Sequence, residues 1–303
     1  MKKKWPKPRA RKLNQQKVSV FLNKIGFEPE KISQEWRHLI AFGKYKNKPS
    51  VLKLASTKKT SRHTRNEHYW NDVIKEYSQE RELSFIVPEN YSSGEYEGLF
   101  YFICERFFGK TLDKQKSYPL KKIAKMAFEI IMMPKPSIAP PNSQARKRKV
   151  PIGDKLLESA TEWASQVPRP TDKYLKIISD ARHNLKTAPA HGDFTVRAMF
   201  LLKDKKIGLI DGEHYGFNGP KYYDPAWFYL RMRLEQNELE SANKFLYEFK
   251  ILLPKPAQEI FWQELEPVLT QRFIGHLWGA KNNNEELNKL EIMGKEMLEN
   301  KII

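Results

Sequence analysis

Two carboxylates stand out for their setting. Asp193 closes the triplet His191-Gly192-Asp193, and Asp211 opens Asp211-Gly212-Glu213. Between them lie two short apolar runs, Ala198–Leu202 and Ile207–Ile210, joined by the polar turn Lys203-Asp204-Lys205-Lys206. Apolar runs on either side of a short polar turn predict an antiparallel hairpin. A hairpin returns the chain to its starting end, so Asp193 and Asp211 are expected on one rim. Nothing in a structural hairpin needs two acids there, and their repulsion is relieved when a divalent cation or a substrate proton sits between them. Singly, His-Gly-Asp and Asp-Gly are ordinary turns; in this order around a hairpin they point to chemistry.

The elements that must position these groups can be read on both sides. Residues 27–105 alternate strand-like runs with one helix. His38–Phe42 and Ser50–Ala55 flank Lys46-Asn47-Lys48, a hairpin pattern. Trp70, Val73, Ile74 and Tyr77 recur on one helical face. Phe85–Val87 and Leu99–Cys104 read as two further strands separated by a turn at Ser92-Ser93-Gly94. From residue 106 helical periodicity takes over: Leu120, Ile123, Ala127 and Ile130, then Leu157, Ala160 and Trp163, then Leu175, Ile178 and Leu185. Three more helices are expected at about 225–250, 256–280 and 285–299. Pro134, Pro136, Pro140 and Pro141 break the helical pattern ahead of the basic run Arg146-Lys147-Arg148-Lys149, so an insertion without regular helix is expected there. The division expected is a basic N-terminal extension (1–26), a small antiparallel-sheet N-lobe (27–105) and a larger, mainly helical C-lobe (106–303). The fold class is α+β.

The chain has 303 residues, with 54 Lys and Arg against 36 Asp and Glu, a formal charge of +18. Such a field attracts polyanions without saying which. No acid precedes Glu28, whereas the opening segment carries Lys2, Lys3, Lys4, Lys7, Arg9, Arg11, Lys12 and Lys17. Nucleic acid is one partner these runs suit. Aromatics are not interleaved with them as a base-stacking platform requires, so solvated basic segments are the favoured reading. The single cysteine, Cys104, excludes an internal disulfide framework and a thiolate zinc site, and suits a reducing compartment. No apolar run follows Met1 and none is long enough to span a bilayer, so a cytoplasmic protein is expected.

His191-Gly192-Asp193-Phe194-Thr195 followed by Leu209-Ile210-Asp211-Gly212-Glu213 resembles the Brenner-type signature of the aminoglycoside phosphotransferase and choline kinase superfamily. The continuation Tyr215-Gly216, Gly219-Pro220 and Tyr223-Asp224-Pro225-Ala226 is similar to that family too. The resemblance implies a two-lobed protein-kinase-like fold that transfers the γ-phosphate of ATP to a hydroxyl of a small molecule with Mg2+. It makes Asp193 the catalytic base, His191 a scaffold of the catalytic loop, Asp211 the metal ligand and Asp224 a support for the loop. Phe102–Gly109 resembles the interlobe hinge, with the Glu105 carbonyl and the Phe107 amide facing the adenine edge. Kinase-like folds also need a strand lysine for the phosphates and a helix glutamate to hold it. Lys53 lies in the apolar strand Val51-Leu52-Lys53-Leu54-Ala55, where a buried ammonium requires an anion. Glu67 shares the apolar face of the Trp70 helix and requires a cation.

Three positions depart from the family pattern. Ala198 stands where a metal-binding Asn is expected, five residues after Asp193, and Glu213 is the acid that could reach the same ion. The expected phosphate-covering turn, Ser33–Arg37, contains no glycine. Gly192 replaces the Arg that reads a phosphorylated activation loop in regulated protein kinases, and the stretch from Asp211 to Asp224 is short for a peptide platform. Small-molecule acceptors are therefore favoured over proteins. Three readings stay open: an ATP-dependent small-molecule kinase, a nucleotide-binding pseudokinase or scaffold without transfer, and a basic nucleic-acid or anionic-surface binder that borrows the fold.

Overall fold

The computed structural model describes residues 11–134, 136 and 150–299. Lys2–Arg9, Pro140, Pro141 and the run Arg146–Lys149 lie outside the described residues. The chain opens with α1 (Gln15–Lys24), whose N-cap Asn14 accepts from the Lys17 amide. A meander follows: β1 (Phe27–Glu35), β2 (His38–Tyr45) and β3 (Lys48–Ala55). Its turns place Trp36, Lys46 and Asn47 in the left-handed region. Then come α2 (Lys58–Glu80), β4 (Phe85–Ile86), β5 (Asn90–Tyr96), β6 (Leu99–Glu105) and β7 (Lys110–Thr111). The helices α3 (Leu120–Ile131), α4 (Ile152–Ala164) and α5 (Asp172–Ala181) precede β8 (Thr187–Ala190), β9 (Met199–Leu201), β10 (Ile207–Leu209) and β11 (Gly216–Pro220). The remainder is α6 (Tyr223–Arg231), α7 (Leu239–Lys250), α8 (Lys255–Glu259), α9 (Phe261–Gly279) and α10 (Asn284–Leu298).

The described residues form two compact units. The first comprises 11–114, 136 and 197–215. Its main sheet runs β1-β2-β3-β6-β5, antiparallel throughout. Side-chain alternation along β6 divides two cores. Leu99, Tyr101 and Ile103 join Leu39, Leu52 and Leu54 beneath α1, which contributes the fully buried Val18 and Leu22. Phe100 and Phe102 face α2, where the His68 ring lies 5.9 and 5.7 Å from theirs. Burying Val18 and Leu22 contributes about 1.5–3 kcal/mol each, so α1 belongs to the sheet's core rather than to a solvated extension. A second sheet, β4-β10-β9-β7, holds the hairpin that ends at Asp211.

The second unit comprises 115–134, 150–196 and 216–299. Its centre is α9, which buries Phe261, Leu265, Leu269, Phe273 and Ile274. Around α9 pack α4, α5 and α6, with α3 against α7. The ribbon β8–β11 brings Ala190 opposite Gly216.

Several local expectations are corrected. Ser92-Ser93-Gly94 is not a turn but the middle of β5; the reversal falls at Glu97-Gly98, both with positive φ. Gly94 serves there because a Cβ would sit 2.8 Å from the Tyr101 hydroxyl. The Phe85 strand stays out of the large sheet and pairs parallel with β10. The helix through Leu175 ends at Ala181, before Leu185, and the helix expected over 225–250 is interrupted by a wide turn at Met232–Gln236. The hairpin segment 197–215 groups with the sheet-bearing unit, not with the helices that follow it in sequence.

Gly212 abuts Trp70 so closely that a Cβ would overlap the indole, which is fully buried. Gly212→Ala is expected to destabilise the protein by about 1–3 kcal/mol through overpacking, read as a lowered midpoint in urea unfolding.

Candidate active site

Lys53 enters the first unit's interior from β3, with 9% of its surface exposed. Its ammonium bonds Glu67 Oε2 at 2.5 Å and Asp211 Oδ1 at 2.9 Å. Burial alone would lower the lysine pKa; the charges of Asp211, Glu67 and Glu213 outweigh it and hold the group above the ordinary lysine range. Lys53 therefore stays cationic. Glu67 is buried on α2 as the helical pattern implies, and Asp211 presents a carboxylate 42% exposed from a backbone in the left-handed region. The segment after Asp211 is pinned by Asn66, whose amide donates to the carbonyls of Glu213 (3.1 Å) and Tyr215 (2.8 Å). The Tyr215 ring packs 4.5 Å from that of Trp70.

Glu213 has a different cationic partner from Asp211. Its Oε1 pairs with the Arg37 guanidinium, which comes from the β1–β2 turn. His38 Nε2 lies 3.8 Å from Oε2 and bonds the Thr64 hydroxyl at 3.1 Å. Burial, with Lys53 and Arg37 nearby, drives the His38 pKa down to about 2, so this imidazole is neutral and makes no ion pair with Glu213. Neither Arg37 nor Asn66 stood out in the sequence. Asn66 had a usable clue, since it neighbours Glu67 on the apolar face of α2; the Arg37 pairing, across 176 residues, had none.

In the second unit His191 is fully buried, and its Nδ1 lies 3.4 Å from the Asp193 amide. Asp224, at the start of α6, accepts from the backbone amides of His191 (2.6 Å) and Gly192 (2.9 Å). Burial pushes the Asp224 carboxyl up to about 7 against the lowering effect of those two bonds. Gly192 takes φ 86°, which a side chain would disfavour. Asp193 is thus held at a fixed point, where its Oδ1 accepts from the Trp227 indole at 3.1 Å. Trp227 is a contact that the sequence did not signal.

The remaining expected positions lie on the first unit. Glu105 ends β6, and its amide donates to the Glu89 carbonyl at 2.8 Å. Phe107 covers Gly208, where a Cβ would come 2.5 Å from its ring. Ala198 is buried, and its carbonyl accepts from the Ile210 amide. Among the described residues no three His, Cys, Asp or Glu side chains form a metal-binding group. The part-exposed Asp211 carboxylate still suits Mg2+, which is commonly held by one or two carboxylates with phosphate and water completing the shell.

Comparison with solved structures places this architecture. The aminoglycoside phosphotransferase APH(4)-Ia is 14% identical, with a TM-score of 0.65 over 94% of this chain and 99% of that one. APH(2")-IIa, solved as a ternary complex with streptomycin and ATP, is 16% identical with a TM-score of 0.57 over 95% and 97%. Choline kinase LicA from Streptococcus pneumoniae is 12% identical with a TM-score of 0.56 over 94% and 98%. The chain therefore has the protein-kinase-like fold. It is the version of that fold shared by aminoglycoside phosphotransferases and choline kinase. No family model and no curated protein matches the sequence. No helix among the described residues is long and apolar enough to cross a membrane.

His38 gives the first unit an acid-sensitive element. Unfolded, the imidazole takes up a proton below its ordinary pKa of about 6.5; folded, it does not, so its contribution is full above that pH and declines below it. Unfolding free energy is expected to fall by about 1 kcal/mol between about pH 6.5 and 5.5 on this account, measured in urea. His38→Gln should flatten that slope.

Proposed function

We propose that this protein transfers the γ-phosphoryl group of ATP to a hydroxyl of a small molecule. The observation that carries the reading is the buried Lys53 ammonium shared between Glu67 at 2.5 Å and Asp211 at 2.9 Å. A cation fixed in that way is prepared to hold nucleotide phosphates, which add negative charge beside it. The known ATP complex of APH(2")-IIa, an enzyme of the same fold, lends support.

In this reading Asp193 takes the proton of the acceptor hydroxyl as its oxygen attacks the γ-phosphorus. A P–O bond to the acceptor forms, the bond from the γ-phosphorus to the β–γ bridging oxygen breaks, and ADP leaves with that electron pair. The Trp227 indole and the Asp224-braced loop orient the Asp193 carboxylate. Lys53 holds phosphate oxygens, and Glu67 keeps Lys53 in place. Asp211 would hold Mg2+, which supplies neutralisation of phosphate charge when bound. The Glu105 carbonyl and the Phe107 amide are the proposed adenine contacts.

Glu213 is the second proposed metal ligand, although its Oε1 is already paired with Arg37. That pairing, with Ala198 where a ligating Asn is expected, favours a second reading: a nucleotide-binding protein without transfer activity.

Asp193→Ala is expected to lower turnover by a factor of at least about 100 while ATP affinity stays within about twofold, measured by coupled ADP release and by calorimetry. Wild-type-like turnover in that variant would remove Asp193 from the role. Ala198→Asn separates the two readings. It should tighten Mg2+-dependent ATP binding in both, and it creates activity from none only in the second.

A further inference from the structure

Several cations of the second unit pair with acids. Arg231 pairs with Glu235, Arg233 with Glu296, and Lys186 and Lys221 with Glu264. Arg272, on α9, differs. It is partly buried, it has no ion-pair partner among the described residues, and its Nε is enclosed without a hydrogen-bond acceptor. What surrounds the guanidinium is aromatic: Trp227 at 4.4 Å, and Trp163 and Tyr223 each at 5.4 Å from its Cζ to the ring centre. These rings come from α6 and α4. Gly275, one turn along α9, lets the Trp163 ring lie on the helix, since a Cβ there would be 3.0 Å from Cζ3.

The location gives the cluster a use. The same Trp227 whose face meets Arg272 donates its indole N–H to Asp193 at 3.1 Å. One indole therefore separates an uncompensated guanidinium from the carboxylate proposed to receive the acceptor's proton. A cationic acceptor would find the ring faces already taken by a cation and would meet like charge. An oxyanion would find the one thing Arg272 lacks, a planar bidentate partner in a site of low polarity.

We propose that Arg272 is the specificity-determining residue of the acceptor site, and that the acceptor is a hydroxyl compound bearing an oxyanion, a carboxylate or a phosphate ester. The inference rests on the phosphotransferase reading for the word acceptor, but the anion site itself does not need ATP. Arg272 binds the oxyanion, the aromatic walls exclude water, and the hydroxyl lies toward Asp193.

The test is direct binding to the full chain without nucleotide, followed by tryptophan fluorescence and calorimetry. The probes are matched pairs, gluconate against glucitol and glycerate against glycerol, with glycerol 3-phosphate to separate phosphate from carboxylate. At least one anionic probe should bind about tenfold or more tighter than its neutral match. Arg272→Gln should abolish the preference, and Arg272→Lys should retain part of it because the charge survives without the fork. Urea unfolding of both variants, followed by far-UV circular dichroism, reports whether they are folded; should the Gln variant fail to fold, the Lys variant decides. Equal binding of charged and neutral partners throughout, or a preference untouched in the variants, overturns the proposal. Anion preference without phosphoryl transfer would overturn the phosphotransferase reading and leave the site standing. Transfer to neutral acceptors without anion preference would do the reverse.

Discussion

A lysine ammonium inside a folded protein is costly unless anions meet it, and much of the first unit is arranged around that requirement at Lys53. Strand β3 carries the charge inward, so α2 must deliver a carboxylate from its buried face and the chain after β10 must deliver another. Both demands constrain backbone. Glu67 must lie one turn from Trp70, and Asp211 must turn through a left-handed conformation before a glycine with no room for a side chain. Asn66 and Tyr215 then keep the segment seated. Removing any one carboxylate leaves a buried charge undercompensated, which makes the network a unit rather than a sum of contacts.

The second unit solves a different problem, that of fixing a carboxylate that has no ion pair among the described residues. Here the backbone does the positioning: two consecutive amides bind Asp224, so the loop carrying Asp193 is set by the start of α6. The indole one turn along the same helix completes the hold. Because α6 packs on α9, the position of Asp193 is linked to the helix that carries Arg272.

The legible parts of this molecule share a cause. The face of α2 and the hairpin before Asp211 have short repeats that a sequence displays directly, and the need of a buried Lys53 for an acid could be argued from one strand and one helix. The hidden parts are pairings between distant segments. Strand β4 has two residues and pairs with a strand more than a hundred positions later, and a parallel partner leaves no turn to find. Ser92-Ser93-Gly94 looked like a turn because small residues usually mark one, whereas here Gly94 clears space for Tyr101 across the sheet. The ring of aromatics about Arg272 on α9 draws on α4 and α6, and each of its members would pass for core in isolation.

Helix α1 bears on where this chain can be shortened. Its basic residues suggest a dispensable leader, yet Val18 and Leu22 floor the sheet that holds Lys53, and the side-chain amide of Gln34 ties Leu13 and Arg11 to β1 through their backbone. A shortened protein starting at Phe27 would leave the underside of β1–β3 bare and prone to self-association. Trimming to a point just before Arg11 would keep that floor intact.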